Sequence, residues 1–474
     1  MATNDADDAE CAGDGGVERV VAAIEEVARR AVEFARASRR VDSAEQLELV
    51  ETQAAEVGDQ LFRVLLAYTL QRAVSDPAVE SAARELVMTV KRQLRSNGRQ
   101  AVSVRTSRGG RVEVETPYYR ERSRKGRQRR PGLYPALAVL GIWDRCTPKL
   151  ASDVSCAVAM LGSLAEAAAQ LGQQSIDLDV KTVRAIAYRY AARARSVQAS
   201  EGFHWGESVA GRRVVVSLDG GRIRVRRKKR GPKTRKGRSR FHADWREPKL
   251  LILYVVAPDG RPCQSWAPVI DGTLRGPEAI FGLLRCYAKQ LGLASVDKVL
   301  FVADGAPWIW TRIEALIAEL GLQPQQILML VDFYHAAKQL SDAIKHRRWS
   351  AQRRSRWLNK YRQRLRRGDV DSVISALKPL CRGRNAKVMA TCIGYFVKNH
   401  ERFAYLRMRR LRLPMGSGAM ESAIRRVVNL RIQGASIYWL PENVDSILML
   451  RSFYKANRWK TLQVMATASK VAAL

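Results

Sequence analysis

The chain has 474 residues, 82 of them Lys or Arg against 46 Asp or Glu, for a formal net charge of +36. With 46% hydrophobic and 27% charged residues it reads as soluble and globular, long enough for two or three domains. It has no run near the ~18 apolar residues of a spanning helix and no basic-then-apolar leader. Its seven cysteines contain no CxxC pair, so a disulfide frame and a structural zinc site are not expected. The charge points to a polyanion, nucleic acid before a membrane surface, and to a cytoplasmic, nucleoid-associated setting.

Residues 1–15 form an acidic stretch of small residues, expected to be a disordered tail. Over 16–99, "VERVVAAIEEVARRAVEFARASRR" and "AEQLELVETQAAEVGDQLFRVLLAYTLQRAV" place apolar residues at three- and four-residue steps, which predicts helices. They fit an intrachain bundle or a packing surface for a twin subunit. Over 100–200, "AVSVRTSRGGRVEVETPYYRER" alternates around Arg108-Gly109-Gly110 and predicts a hairpin. A basic arm, "RERSRKGRQRRPG", follows. A helix is then expected to end near Leu171-Gly172, with a second from Val180 to Arg195. The pair resembles a helix-turn-helix and fits an ordinary helical hairpin equally.

From 211 to 345 the pattern changes. "RRVVVSL", "GRIRVRR" and "PKLLILYVVAPDGRPCQSWAPV", turning at Asp259-Gly260, read as strands. Helices then alternate with "KVLFVADG" and "ILMLVD". The order β-β-β-α-β-α-β-α predicts an α/β fold, a mixed sheet with helices on its faces. Residues 346–412 carry no strand signal and read as Arg-rich helices containing Trp349, Trp357 and Tyr361. Residues 413–474 open with "GSGAMES" and continue as helices.

Asp219 ends the first strand of this region, Asp304 ends "KVLFVAD", and Glu421 lies in the first turn of the late helix. Function in an open α/β sheet gathers at carboxyl ends of strands, although an Asp before Gly also fits an ordinary turn. Carboxylate oxygens are what Mg²⁺ requires, and two such ions can activate a nucleophilic oxygen and stabilise the leaving oxygen of a phosphodiester. The cations after Asp219 (Arg226, Arg227, Lys228, Lys229, Arg230, Lys233, Arg235 and Lys236) would then hold a DNA backbone. Trp308 and Trp310, like the aromatic residues of 346–412, fit core packing or base stacking.

In this order, "SLDGG", "VADG", "VDFYHA" and "GSGAMES" resemble the DDE transposases of bacterial insertion sequences, in particular the ISKra-type group. The resemblance runs over roughly 101–459 and is specific as a set. It implies an RNase H-like catalytic core with an all-helical insertion at 346–412, completed by 413–474. It implies Asp219, Asp304 and Glu421 as ligands of Mg²⁺ or Mn²⁺, two ions in all, with Asp332 and His335 of a D-x-x-H motif in support. The partners implied are double-stranded DNA, as element ends and target, and further copies of the chain in a homodimer or larger assembly. Many relatives carry a CxxC pair after the "YY" segment, which this chain lacks. Two other readings are a non-catalytic nucleic-acid-binding protein on the same scaffold and a stand-alone metal-dependent nuclease.

Overall fold

The computed structural model describes residues 7–37, 41–90, 93–121, 132–200, 203–235, 237–345, 347–383 and 386–468. The chain divides into two compact units, one of residues 1–200 with 463–474 and one of 201–462. Most of the basic arm and Lys236 lie outside the described residues.

The first unit opens with two 31-residue helices packed on each other, α1 (Asp7–Ala37) and α2 (Ala44–Val74). α1 thus reaches into the segment read as a tail. α3 (Pro77–Thr89) starts with Asp76 as N-cap and Pro77 in the first turn, the residue types that such a start favours. β1 (Leu94–Arg105) and β2 (Arg111–Glu121) form the hairpin. It begins upstream of Ala101, where the alternation becomes legible, because a bulge between Ser96 and Arg99 breaks the period. Val102, Val104, Val112 and Val114 point inward against Leu70, Val74 and Ile142. At the turn only glycine fits position 109: its φ is +68°, and a Cβ would meet Ser175 O at 2.3 Å. The helices α4 (Pro135–Val139), α5 (Pro148–Met160), α6 (Leu164–Gly172) and α7 (Val180–Gln198) follow. In the helix-turn-helix-like pair, Arg189 and Arg193 of α7 are both committed to Asp144.

The second unit is a mixed α/β domain. β3 (Arg213–Gly220), β6 (Lys249–Val256), β7 (Val269–Thr273), β8 (Lys298–Ala303) and β9 (Ile327–Val331) form one sheet in the order β7-β6-β3-β8-β9. β3 pairs antiparallel with β6, and β6 with β7; β8 runs parallel to both β3 and β9. Val214 to Leu218 and Val299 to Ala303 are all buried, as expected of central strands covered on both faces. The intervening β4 (Ile223–Lys228) and β5 (Phe241–Arg246) leave the sheet as a separate two-stranded ribbon. β5 is not among the strands expected from the sequence, since its Phe-His-Ala-Asp-Trp-Arg pattern gives no apolar alternation.

The helices α8 (Pro277–Gln290), α9 (Pro307–Leu320) and α10 (Phe333–Ile344) alternate with the strands. Residues 347–412 are helical without a strand among the described residues: α11 (Ala351–Arg366), α12 (Val370–Leu377), α13 (Ala386–Lys398) and α14 (Tyr405–Arg410), with short 3₁₀ turns. α15 (Gly418–Ile424) packs on β3 and β6 and runs into a π-helical turn at Arg425–Asn429. α16 (Pro441–Lys455) packs on β7, and α17 (Trp459–Thr467) begins in the second unit and ends in the first. No described helix is long and apolar enough to cross a membrane.

Candidate active site at the strand ends

Three parallel strands bring their carboxyl ends to one edge of the sheet. Ser217 of β3 is in register with Val302 of β8, and Ala303 of β8 with Val331 of β9. Continuing that register puts Asp219, Asp304 and Asp332 in one row, each at the exit of its strand, with neighbouring strands roughly 4.8 Å apart.

Each exit is held by backbone groups. Asp219 Oδ1 accepts the N–H of Gly220 at 2.7 Å, and Asp304 Oδ1 that of Ala306 at 3.0 Å. Burial raises the pKa of Asp219 above the usual carboxylate range. The Gly220 N–H and His335 oppose that rise, while Asp304 and Glu247 add to it. Asp219 therefore stands in the field of two further carboxylates and of an imidazole.

Asp332 is fully buried and caps α10, accepting the His335 N–H at 2.7 Å through Oδ1. Its other oxygen accepts the backbone N–H of Ser417. A Cβ at Gly416 would come within 3.0 Å of that oxygen, so a glycine lets the loop approach. The backbone N–H of Asp332 bonds to Ala303 O at 2.9 Å, and that of Phe333 to Met415 O at 3.2 Å. Burial alone would raise the Asp332 pKa, but the bonds from His335 and Ser417 outweigh it and bring it to about 2. His335 Nδ1 lies 3.4 Å from Asp332 Oδ1, an ion-pair separation. Asp332 raises the His335 pKa, burial opposes this, and Asp219 and Asp304 raise it further.

The helical segment 347–412 forms one wall. A Cβ on Gly305 would meet the ring of Tyr395 at 2.1 Å, so α13 lies directly against the Asp304 turn. Asn399 Nδ2 donates to Gly305 O at 3.5 Å. Trp310 is buried and donates from Nε1 to Asp304 O at 3.0 Å, which makes it a core residue that fixes this turn. Trp308 is half-buried, with Lys249 Nζ 4.7 Å from its ring centre. Trp357 of α11 touches both Trp349 and Tyr361, with Arg353 over Trp349.

The sequence-predicted residues thus divide. Asp219, Asp304, Asp332 and His335 come together. Glu421 is exposed on α15, and no hydrogen bond or ion pair joins it to them among the described residues. No group of three or more His, Cys, Asp or Glu able to hold a metal ion occurs among the described residues. The donor chemistry of the Asp219–Asp304 pair nevertheless fits Mg²⁺, which takes one or two carboxylates and completes its shell with waters and substrate phosphate oxygens. Of the predicted cations, Arg226, Lys228, Lys229, Arg230, Lys233 and Arg235 are exposed, whereas Arg227 is paired with Asp244 at 3.1 Å. Sequence reasoning missed Ser417, Glu247 and Tyr395, whose roles depend on contacts distant in the chain; the Gly-Ser-Gly of the motif was the only signal for Ser417.

No protein-family profile, curated protein or solved structure matches this chain.

Proposed function

We propose that the protein is a DDE-type transposase that cuts and joins DNA strands at the ends of an insertion sequence, on an RNase H-like core. The observation that carries this reading is the meeting of Asp219 and Asp304 at adjacent parallel strand ends, beside His335 and at the root of a cationic ribbon. The antiparallel β3-β6-β7 meander followed by two parallel strands is the sheet expected of that core.

Asp219 and Asp304 would hold the divalent cation, with Glu421 of α15 as the third carboxylate. When bound, the ion supplies an activated water and charge compensation at the leaving oxygen. The chain's own groups do the rest. Asp332 and its two N–H partners fix the strand end and the loop leading to Glu421. His335, with its raised proton affinity, balances the adjacent carboxylates. The exposed cations hold the duplex by its phosphates.

The test is a strand cleavage and joining assay with Mg²⁺ on duplexes carrying the sequences that flank the gene. The intact chain is expected to nick at an inverted-repeat terminus and to join pre-cleaved 3′-hydroxyl ends to a second duplex. Asp219→Asn is expected to bind with nearly unchanged affinity and not to cut. Cleavage without joining would assign a nuclease instead, and cleavage by Asp219→Asn would remove Asp219 from the site.

A further inference from the structure

The β4–β5 ribbon is a built object rather than a basic loop. Its inner face buries Ile223, 0% exposed, and Val225, 3%. β4 is bonded along both edges. On one side it pairs with β5 from Ile223↔Arg246 to Lys228↔Phe241. On the other, Trp439 N donates to Arg224 O at 2.9 Å and accepts through its own carbonyl from Arg226 N at 2.7 Å. The Trp439 indole donates to Ile432 O at 2.9 Å, and the Arg224 guanidinium to Gly434 O. The ribbon is therefore fastened to the segment after α15, while its root is the Asp219-Gly220 strand exit.

Its outer face alternates cations with rings. Arg222 and Arg224 stand 5.0 and 5.6 Å from the ring centre of Trp245, and Arg224 also lies 4.9 Å from Tyr438. Arg226 is 4.9 Å from Phe241. Each of these rings already has a guanidinium over it. Such rings hold cations in place rather than offer free faces to unpaired bases. Arg222, Arg226 and Lys228 are exposed, and alternate strand residues recur roughly every 6.6 Å.

We infer that the outer face of the β4–β5 ribbon is a rigid duplex-binding surface whose Arg222, Arg224, Arg226 and Lys228 hold backbone phosphates, setting the position of DNA leading to Asp219. The inference rests on the DNA-processing reading above and deepens it. Contacts to the phosphate backbone fix position and orientation without reading sequence, so the surface acts on any duplex. The half-buried Arg224 pins the array, and the three exposed cations carry most of the phosphate contact.

The experiment measures binding of the full-length chain to a fluorescent 20-bp mixed-sequence duplex across a salt series. It compares the intact chain with R222Q/R226Q/K228Q and with R407Q/R409Q/R410Q, which removes the same charge from exposed positions of α14. The ribbon variant is expected to lower the slope of log K against log salt by about 2–3, since each lost phosphate contact removes roughly 0.9. The α14 variant is expected to keep the slope of the intact chain. Equal slopes for the intact chain and the ribbon variant, or equal losses in both variants, would overturn the ribbon's role while leaving DNA binding intact. A larger loss on a single strand than on the duplex would overturn the duplex assignment. Failure of the intact chain to bind any DNA would overturn the DNA-processing reading itself.

Discussion

The carboxylate of Asp332 accepts the backbone N–H of Ser417, tying the end of β9 to the loop that leads into Glu421. The same side chain caps α10 and, through its backbone, meets Ala303 beside Asp304. Asp332→Ala removes two charge-assisted bonds from a fully buried position and is expected to cost about 3 kcal/mol, read by denaturant unfolding. Asp332→Asn should retain the α10 cap better than the Ser417 contact, so it should lose more strand cleavage than stability. Equal loss of both would give Asp332 a purely structural role.

Stability at acid pH follows from the same residue. The Asp332 pKa falls from 3.8 unfolded to about 2 folded. Its contribution is complete above the unfolded value and is lost as pH falls through the folded one. The amount is about 2 kcal/mol. Asp332→Asn is expected to flatten stability against pH between about pH 5 and pH 2, measured by denaturant unfolding at each pH.

Asp219 has the opposite sign. Its folded pKa is raised by burial and by Asp304 and Glu247. Its ionised form therefore costs stability above that folded value, and the cost fades as pH falls toward the unfolded value. Asp219→Asn should raise the Tm of the metal-free protein at neutral pH, by roughly 2–4 °C for each 1 kcal/mol recovered. The same substitution should reduce cleavage at least about 10³-fold, the scale of several kcal/mol of lost charge stabilisation. A Tm unchanged or lowered would show that the carboxylate is not held at a cost.

Two glycines beside the aspartates separate a rigid wall from a yielding one. A Cβ at Gly305 meets the Tyr395 ring at 2.1 Å, whereas one at Gly220 meets, at 2.0 Å, the end of the flexible Glu247 side chain, which is ion-paired with Lys249. Tyr395 is packed between Phe396 and Phe403, so it cannot withdraw. Gly305→Ala should cost about 1–3 kcal/mol as an overpacked site, and Gly220→Ala less than about 0.5 kcal/mol, the ordinary range for a surface change. Comparable losses would show that α13 does not brace the Asp304 turn.

Much of this arrangement is written locally. β3 and β8 are apolar runs that end at Asp219 and Asp304, and the Asp-Phe-Tyr-His start of α10 carries its own cap. Such signals need no knowledge of distant chain. Hairpin pairing of the ribbon was not legible, because β5 is held by its ladder to β4 and by the Arg–aromatic contacts of Phe241 and Trp245 rather than by apolar alternation. The wall formed by Tyr395 and the bond from Ser417 were hidden for the same reason: both join segments far apart in sequence. The clustering of Asp219 with Asp304 followed from the parallel order of strands, whereas nothing in the spacing of Glu421 says how closely α15 brings it to them.

Asp219 and Asp304 are expected to hold a divalent cation together. Anomalous diffraction from crystals grown with Mn²⁺ and a DNA duplex tests it most directly. Manganese is expected to be coordinated by both carboxylates and absent from crystals of Asp219→Asn/Asp304→Asn. Manganese bound elsewhere on the chain with neither carboxylate in its shell, or retained at the same place in the double variant, would contradict it.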